Sequence, residues 1–407
     1  MYPVSIFILG VGVGVNYAFL LLPLAVALIQ GRLRYPGDML AGAMMFYVLV
    51  FFIAMLYQID QFVLSGRRFA SFLVFMGMFA YAFVKIDARM IAAFKSALVI
   101  ISVYLSLVSA YVLLDASARA IVGFEAKDLV GSQRFGFIYL IALWLAYLDP
   151  AIKRSLGSFR YPVLLVLLGG LMLTFSRSSI VSLLGGFLLF ALVKHGKWLK
   201  NLSVRTLLNG LATVVGIAIF GLILYWLFPV AFRFFDTRLF SFFASETNVA
   251  TALVNRGSSE GTRVFIAMSV LEFVVRNPVT GSGYLGVWTI PELAAGSAHG
   301  QYVDVLFRTG PIGLIFYLGI FFALLRYLRR EHEALFWGVL SVAIYGLFHE
   351  TFKESQGGFI YTVLIGMMAQ SLRERRDARR RAASAANPLA WPNSATAGVP
   401  RPGPLDR

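Results

Sequence analysis

YPVLLVLLGGLMLTFSRSSIVSLLGGFLLFALV, residues 161–193, places two apolar runs on either side of one short charged corner. Each run reads as a membrane helix, and the Ser176-Arg177-Ser178 turn between them is too short to be a solvated loop. An arginine at such a corner either snorkels to the headgroup level or faces a cavity or ligand.

Runs of this kind recur at 4–29, 39–58, 69–84, 94–114, 135–148, 161–175, 179–193, 207–228, 312–328, 335–348 and 359–371, which is about eleven spans. The first is long enough, and has enough glycine (Gly10, Gly12, Gly14), to divide into two, which makes twelve. It lacks a basic leader and reads as a retained span rather than a cleaved signal. The expected fold class is an all-α polytopic helical bundle. Residues 1–372 form the membrane domain, 229–310 one large, partly helical periplasmic loop, and 373–407 a basic, disordered cytoplasmic tail.

The composition agrees, because 59% hydrophobic and 14% charged residues exclude a soluble globular domain. Without cysteine there is no disulfide, thiolate metal site or thiol nucleophile. His195, His299, His332 and His349 are scattered and no metal-ligand spacing occurs, so neither a metal nor any other cofactor is expected.

The net charge of +16 sorts by loop. Lys194, Lys197, Lys200 and Arg205, then Arg326, Arg329 and Arg330, and also Lys153, Arg154 and Arg160, mark cytoplasmic loops by the positive-inside rule. The Arg177 turn and the 229–310 loop then lie outside. That loop balances its arginines against acids and contains no lysine. Arg67 and Arg68 break the alternation, and an even span count with both ends cytoplasmic requires the first run to be split. The arginines after Arg373 suit anionic lipid headgroups, and nucleic acid is not expected as a partner.

Inside the outer loop, Thr262 to Arg276 reads as a helix that stops at Asn277-Pro278. Thr262, Ser269, Glu272 and Arg276 form its polar stripe. Arg263 falls at the head of an apolar face with Ala267 and Val270, where a guanidinium either snorkels or meets a buried anion. Arg256, on the turn before it, is the alternate for the same role. Gly281, Gly283 and Gly286 allow tight turns, and Tyr284 and Trp288 beside them are either interfacial loop residues or a sugar-binding wall. His299 stands at the start of a short helix, Gly300 to Arg308, where the helix N-terminus disfavours imidazolium. It is either a proton acceptor at neutral pH or a loop histidine bonded to backbone. Glu350 and Lys353 form a second outer cluster with His349.

Taken together, the mid-chain Ser-Arg turn, an outer loop carrying arginine, the run Asn277-Pro278 to Gly281, Gly283 and Tyr284, and a histidine followed by a short helix and Gly310 to Gly313 resemble the O-antigen ligase and O-antigen or exopolysaccharide polymerase superfamily of bacterial inner membranes. The resemblance covers roughly Leu171 to Gly313. It implies transfer of a glycan from an undecaprenyl-diphosphate carrier to an acceptor hydroxyl at the periplasmic face, without metal. Arg177 and Arg263 would hold the diphosphate and His299 would take or orient the acceptor proton, with Tyr284, Trp288 and Glu350 as glycan or acceptor contacts. Gly300 departs from the asparagine frequent after this histidine, and Phe265 from a frequent tryptophan. The Gly283 to Trp288 run is closer to the polymerases, whose acceptor is another lipid-linked glycan, than to the ligases, whose acceptor is lipid A-core. A lipid-linked glycan flippase and a structural envelope subunit are the competing classes. The absence of a span-scale repeat weighs against an inverted-repeat transporter.

Overall fold

A computed structural model describes residues 5–8, 11–14, 29–31, 84–114, 135–174, 176–199, 259–283, 287, 290, 298–351 and 355–386. The expected spans 39–58 and 207–228, nearly all of 69–84, Arg67, Arg68, Lys353 and residues 387–407 lie outside them.

Within the first apolar run the helix expectation gives way to an antiparallel hairpin. Ser5–Ile8 (β1) pairs with Val11–Gly14 (β2), with Ser5 opposite Gly14 and Ile8 opposite Val11. Alternation of valine with glycine accounts for it, since β-branched residues favour strand and glycine is a poor helix former.

The other described elements make the fold an all-α polytopic bundle. In order they are α1 (Ala88–Leu114), α2 (Gly136–Leu148), α3 (Pro150–Leu156), a 3-10 turn (Gly157–Phe159), α4 (Arg160–Leu173), α5 (Arg177–Leu199), α6 (Ser259–Arg276), α7 (Gln301–Glu331), α8 (Glu333–Tyr345) and α9 (Ser355–Ala386). Among the described residues, α1, α3 with α4, α5 and α7 provide stretches long and apolar enough to cross a membrane, while α2 and α8 are shorter apolar helices. The chain is a multi-pass membrane protein. The short helix expected at Gly300 to Arg308 and the span at 312–328 are one element, α7, interrupted by a kink at Gly310 and Pro311. The last span continues without a break, so that the arginine-rich stretch from Arg373 to Ala386 is helical.

α2 is the hub. It is apolar around its whole circumference, and residues from Gly136 to Ala146 are buried against α1, α4, α5 and α8. Lipid is as apolar as leucine, so close approach and interhelical hydrogen bonds must hold such helices together. Serine–glycine contacts supply the approach. A Cβ at Gly170 of α4 would come within 2.0 Å of Ser106 Oγ on α1, one at Gly186 of α5 within 2.0 Å of Ser341 Oγ on α8, and one at Gly136 of α2 within 2.1 Å of Ser179 Oγ on α5. Trp144 Nε1 at the centre donates to Ser341 Oγ at 2.9 Å, with Phe187 and Trp337 packed around its ring. The outward surface is apolar, as lipid requires: α4 hides Leu167 and Leu171 and exposes Tyr161 and Leu165.

Opposite ends of the bundle differ in charge. At the lysine-rich end, Lys95 pairs with Asp149 at 2.8 Å, and Asp149 also caps α3 by accepting from Ala151 and Ile152 N–H. Lys194 pairs with Glu333, and Arg375 with Glu331. The other end holds the starts of α2, α5, α7 and α9, the end of α8, and a satellite core in which Ile266, Val270 and Val274 of α6 meet Ala298 and Phe307. Phe265 packs on this satellite core.

Candidate functional site

α6 and α7 are joined by a glycine clasp. Gly281 and Gly310 both have left-handed backbones (φ 55° and 68°), and Ser282 N–H donates to Phe307 O at 2.7 Å. A Cβ on Gly281 would lie 2.3 Å from Phe307 O, and one on Gly310 2.6 Å from Val279 O. Only glycine meets both the conformation and the close approach. Because the clasp fixes the loop after α6 on the α7 kink, it sets Arg263, on the buried side of α6 with Ile266 and Val270, in register with the start of α7.

Gly300 is the extended N-cap of α7, and His299 precedes it with φ 53°. Among the described residues it is the one non-glycine side chain in the left-handed region. That conformation costs of order 1 kcal/mol and persists only where the surroundings impose it. They do so through the link between α8 and α9. Glu350, itself buried, accepts from Ala298 N–H; Gln301 N–H donates to Gly346 O at 2.7 Å; Tyr302 hydroxyl donates to Ala343 O at 2.9 Å; and Thr351 hydroxyl donates to Gln301 Oε1 at 3.3 Å. A Cβ at position 300 would stand 3.1 Å from Leu347 O, so the link occupies the space beside Gly300.

The link carries a histidine to the same place. His349 stacks on Tyr345 with ring centroids 4.6 Å apart. Burial first, then the electrostatic influence of Arg263 and of His299, push its imidazole down to about 3, so it is neutral at physiological pH. Arg263, His299 and His349 therefore share one electrostatic environment, although they come from α6, α7 and the α8–α9 link. One turn below His299, Asp304 pairs with Arg308 at 2.7 Å.

Arg177 is the first residue of α5 rather than part of an open turn. Ser176 caps that helix, accepting Ser179 N–H on both its backbone and hydroxyl oxygens, and Ser176 and Ser178 hydroxyls are 2.7 Å apart. Two residues after Arg177, Ser179 packs on Gly136, where a Cβ would also lie 3.2 Å from the Tyr345 ring. The start of α5 is thus linked by packing, through Ser179, to Gly136, Tyr345 and His349, while Arg177 two residues before Ser179 lies on another side of the helix. Tyr284, Trp288 and Arg256 lie outside the described residues, and among those described no three histidine or carboxylate side chains group as metal ligands.

Two parts of this arrangement escaped the sequence reading. The sequence groups His349 with Glu350 and Lys353 without giving it a role, and gives the start of α2 only as the edge of a span. The signal for the first was present in Tyr345-Gly346-Leu347-Phe348-His349-Glu350-Thr351, a polar and aromatic run between two spans. Nothing local marks the second.

Residues 162–318 match the family model described as O-Antigen ligase. No curated protein matches the sequence. The matched region contains Arg177, Arg263 and His299, and the match supports glycan transfer of the ligase or polymerase type in general. It does not contain α2, the α8–α9 link or α9.

Proposed function

With residues 162–318 carrying the O-antigen ligase match, we propose that the protein transfers a glycan from an undecaprenyl-diphosphate carrier to an acceptor hydroxyl at the periplasmic face of the bacterial inner membrane, as a metal-independent polymerase of repeat units. What supports this reading is that Arg263 and His299 both bear electrostatically on the buried His349, beside a start of α7 that is fixed by Glu350 and the α8–α9 link.

The acceptor oxygen attacks the anomeric carbon of the donor sugar, the bond from that carbon to the phosphate oxygen breaks, and the diphosphate leaves with the electron pair. The acceptor proton passes to His299. Arg177 and Arg263 hold the diphosphate and stabilise the charge that grows on it, where preformed cations contribute most. His349 adds a ring to the wall without adding charge, so the site attracts the diphosphate through its arginines and keeps His299 as the base. Glu350 holds the backbone at Ala298 and is thereby a positioning residue for His299 as well as a candidate acceptor contact.

Ligation to lipid A-core is the second reading, favoured by the description of the matched family itself. The polymerase assignment rests on the Gly283 to Trp288 pattern. Membranes containing the protein and lipid-linked repeat units separate the possibilities. A polymerase yields a ladder of lengthened glycans, a ligase adds one glycan to a supplied core acceptor, and a flippase moves the lipid across the bilayer without altering glycan length. His299→Ala should abolish transfer at normal expression, and transfer at the wild-type rate by that variant would sink the catalytic assignment.

A further inference from the structure

We propose that the end of the bundle opposite His299 carries a binding surface for anionic phospholipid headgroups, made by the arginine-rich extension of α9 together with the end of α7. The surface is independent of the reaction performed at the other end.

α9 has 32 residues, so its axis is about 48 Å long, against a hydrocarbon core of about 30 Å. Arg373 stands about 27 Å along it from Ser355, which puts the turns that follow in and just beyond the headgroup layer. There the bond from Arg375 to Glu331 sets α9 beside the end of α7. Arg379, Arg380 and Arg381 of one helix and Arg326, Arg329 and Arg330 of the other are all exposed at this end.

The acids nearby are engaged elsewhere. Glu331 is committed to Arg375, Glu333 to Lys194 and Asp149 to Lys95, and Glu374 accepts from the Gln370 amide. Among the described residues none of the six arginines forms an ion pair, and Arg381 donates only to the backbone oxygen of Asp377. Within α9, Arg375 and Arg379, and likewise Arg376 and Arg380, stand four residues apart, where like charges weaken a helix. Residues 377–384 are exposed, so packing on the bundle does not hold them helical. Alanine and arginine favour helix, but a stretch this short is marginal in water without outside support. Its backbone is nevertheless helical to Ala386, which calls for counter-anions along the arginines.

Phosphate oxygens suit guanidinium forks, and the setting identifies their carrier as lipid rather than a soluble acidic protein. Leu372 immediately precedes the arginines of α9, and Phe322 lies one turn before Arg326; both are exposed, so apolar surface runs directly into the guanidiniums. A phospholipid presents an acyl chain and then a phosphate in that order. A soluble partner would meet only the charges. At an anionic membrane each such arginine strengthens binding about fivefold.

The full chain would be reconstituted in phosphatidylcholine membranes with and without phosphatidylglycerol, and hydrogen exchange of the α9 amides followed. Phosphatidylglycerol should protect residues 377–386, and high salt should reverse the effect. Phosphatidylglycerol should also be enriched in the lipid retained after detergent extraction. The triple variant Arg379→Gln, Arg380→Gln, Arg381→Gln should lower that enrichment by about tenfold or more and abolish the response of exchange to phosphatidylglycerol. Its protection in phosphatidylcholine should not fall, because glutamine is a comparable helix former and three like charges are gone. His299→Ala should respond as wild type does, which separates the result from glycan transfer. Equal exchange and equal lipid retention in the two membranes overturn the proposal. So does protection by polyglutamate or free glycerol phosphate in phosphatidylcholine where phosphatidylglycerol gives none.

Discussion

Mild acid should destabilise the protein through His349, and the size of the effect can be worked out. In the unfolded chain its imidazole titrates near the ordinary value of about 6.5, and in the folded protein it is held at about 3. Between those values the unfolded chain binds a proton that the folded one does not. The contribution is therefore fully present above about pH 6.5 and is lost progressively as pH falls toward 3. Moving from pH 7.5 to pH 5 removes about 2 kcal/mol on this account, enough to lower a melting temperature by several degrees. The groups bearing on the imidazole are the Tyr345 ring, Arg263 and His299, with Glu350 next in the chain. His332, held at about 4 at the other end of the bundle by burial and then by Lys95, responds in the same direction. The assay must therefore be differential. Melting temperatures of wild type, His349→Gln and Arg263→Gln would be compared at the two pH values. His349→Gln should lose less on acidification by roughly that amount, and Arg263→Gln, which removes one opposing charge, should lie between it and wild type. An equal acid-induced fall in wild type and His349→Gln would refute the placement of His349 in a buried, cationic environment.

Gly310→Ala should uncouple the clasp, since it adds a Cβ at a left-handed position 2.6 Å from Val279 O. The expected cost is about 2 kcal/mol or more, with glycan transfer falling further than melting temperature as Arg263 loses its register with His299; unchanged transfer kinetics would count against the clasp. Lys95→Ala leaves the buried Asp149 carboxylate with only its two N–H donors, and should cost about 3 kcal/mol, partly recovered in the Lys95→Ala, Asp149→Asn double variant, as read by thermal unfolding. Ser341→Ala strips the acceptor from the buried Trp144 indole and should cost about 1–2 kcal/mol without changing substrate affinity, which the same melts and a binding titration would establish.

The spans were legible because apolar runs bounded by arginine or lysine carry their own evidence, and α1, α2, α4 and α5 begin and end within a few residues of where those runs do. The exception at Val11–Gly14 shows the limit: hydropathy sets where a segment lies, and the valine–glycine alternation decides its backbone. At the site, Arg177 and Arg263 are conspicuous as charges at the edge of apolar runs, and His299 as a histidine at a helix start. Their relation is not, because it is carried by contacts between residues distant in sequence. Glu350 holds Ala298 from 52 residues away. Ser179 and Gly136 read as any small residues on spans, because their contact is made between helices distant in sequence.

The departure at Gly300 follows from the same long-range contacts. A Cβ there would stand 3.1 Å from Leu347 O, so an asparagine could enter only if the α8–α9 link gave way by a few tenths of an ångström. That shift would strain the bonds from Gln301 N–H to Gly346 O and from Ala298 N–H to Glu350, the two that flank His299 and impose its left-handed backbone. It would also carry His349 away from Arg263. Glycine at 300, a left-handed His299 and a buried His349 thus belong to one arrangement, in which the link packs directly on the start of α7.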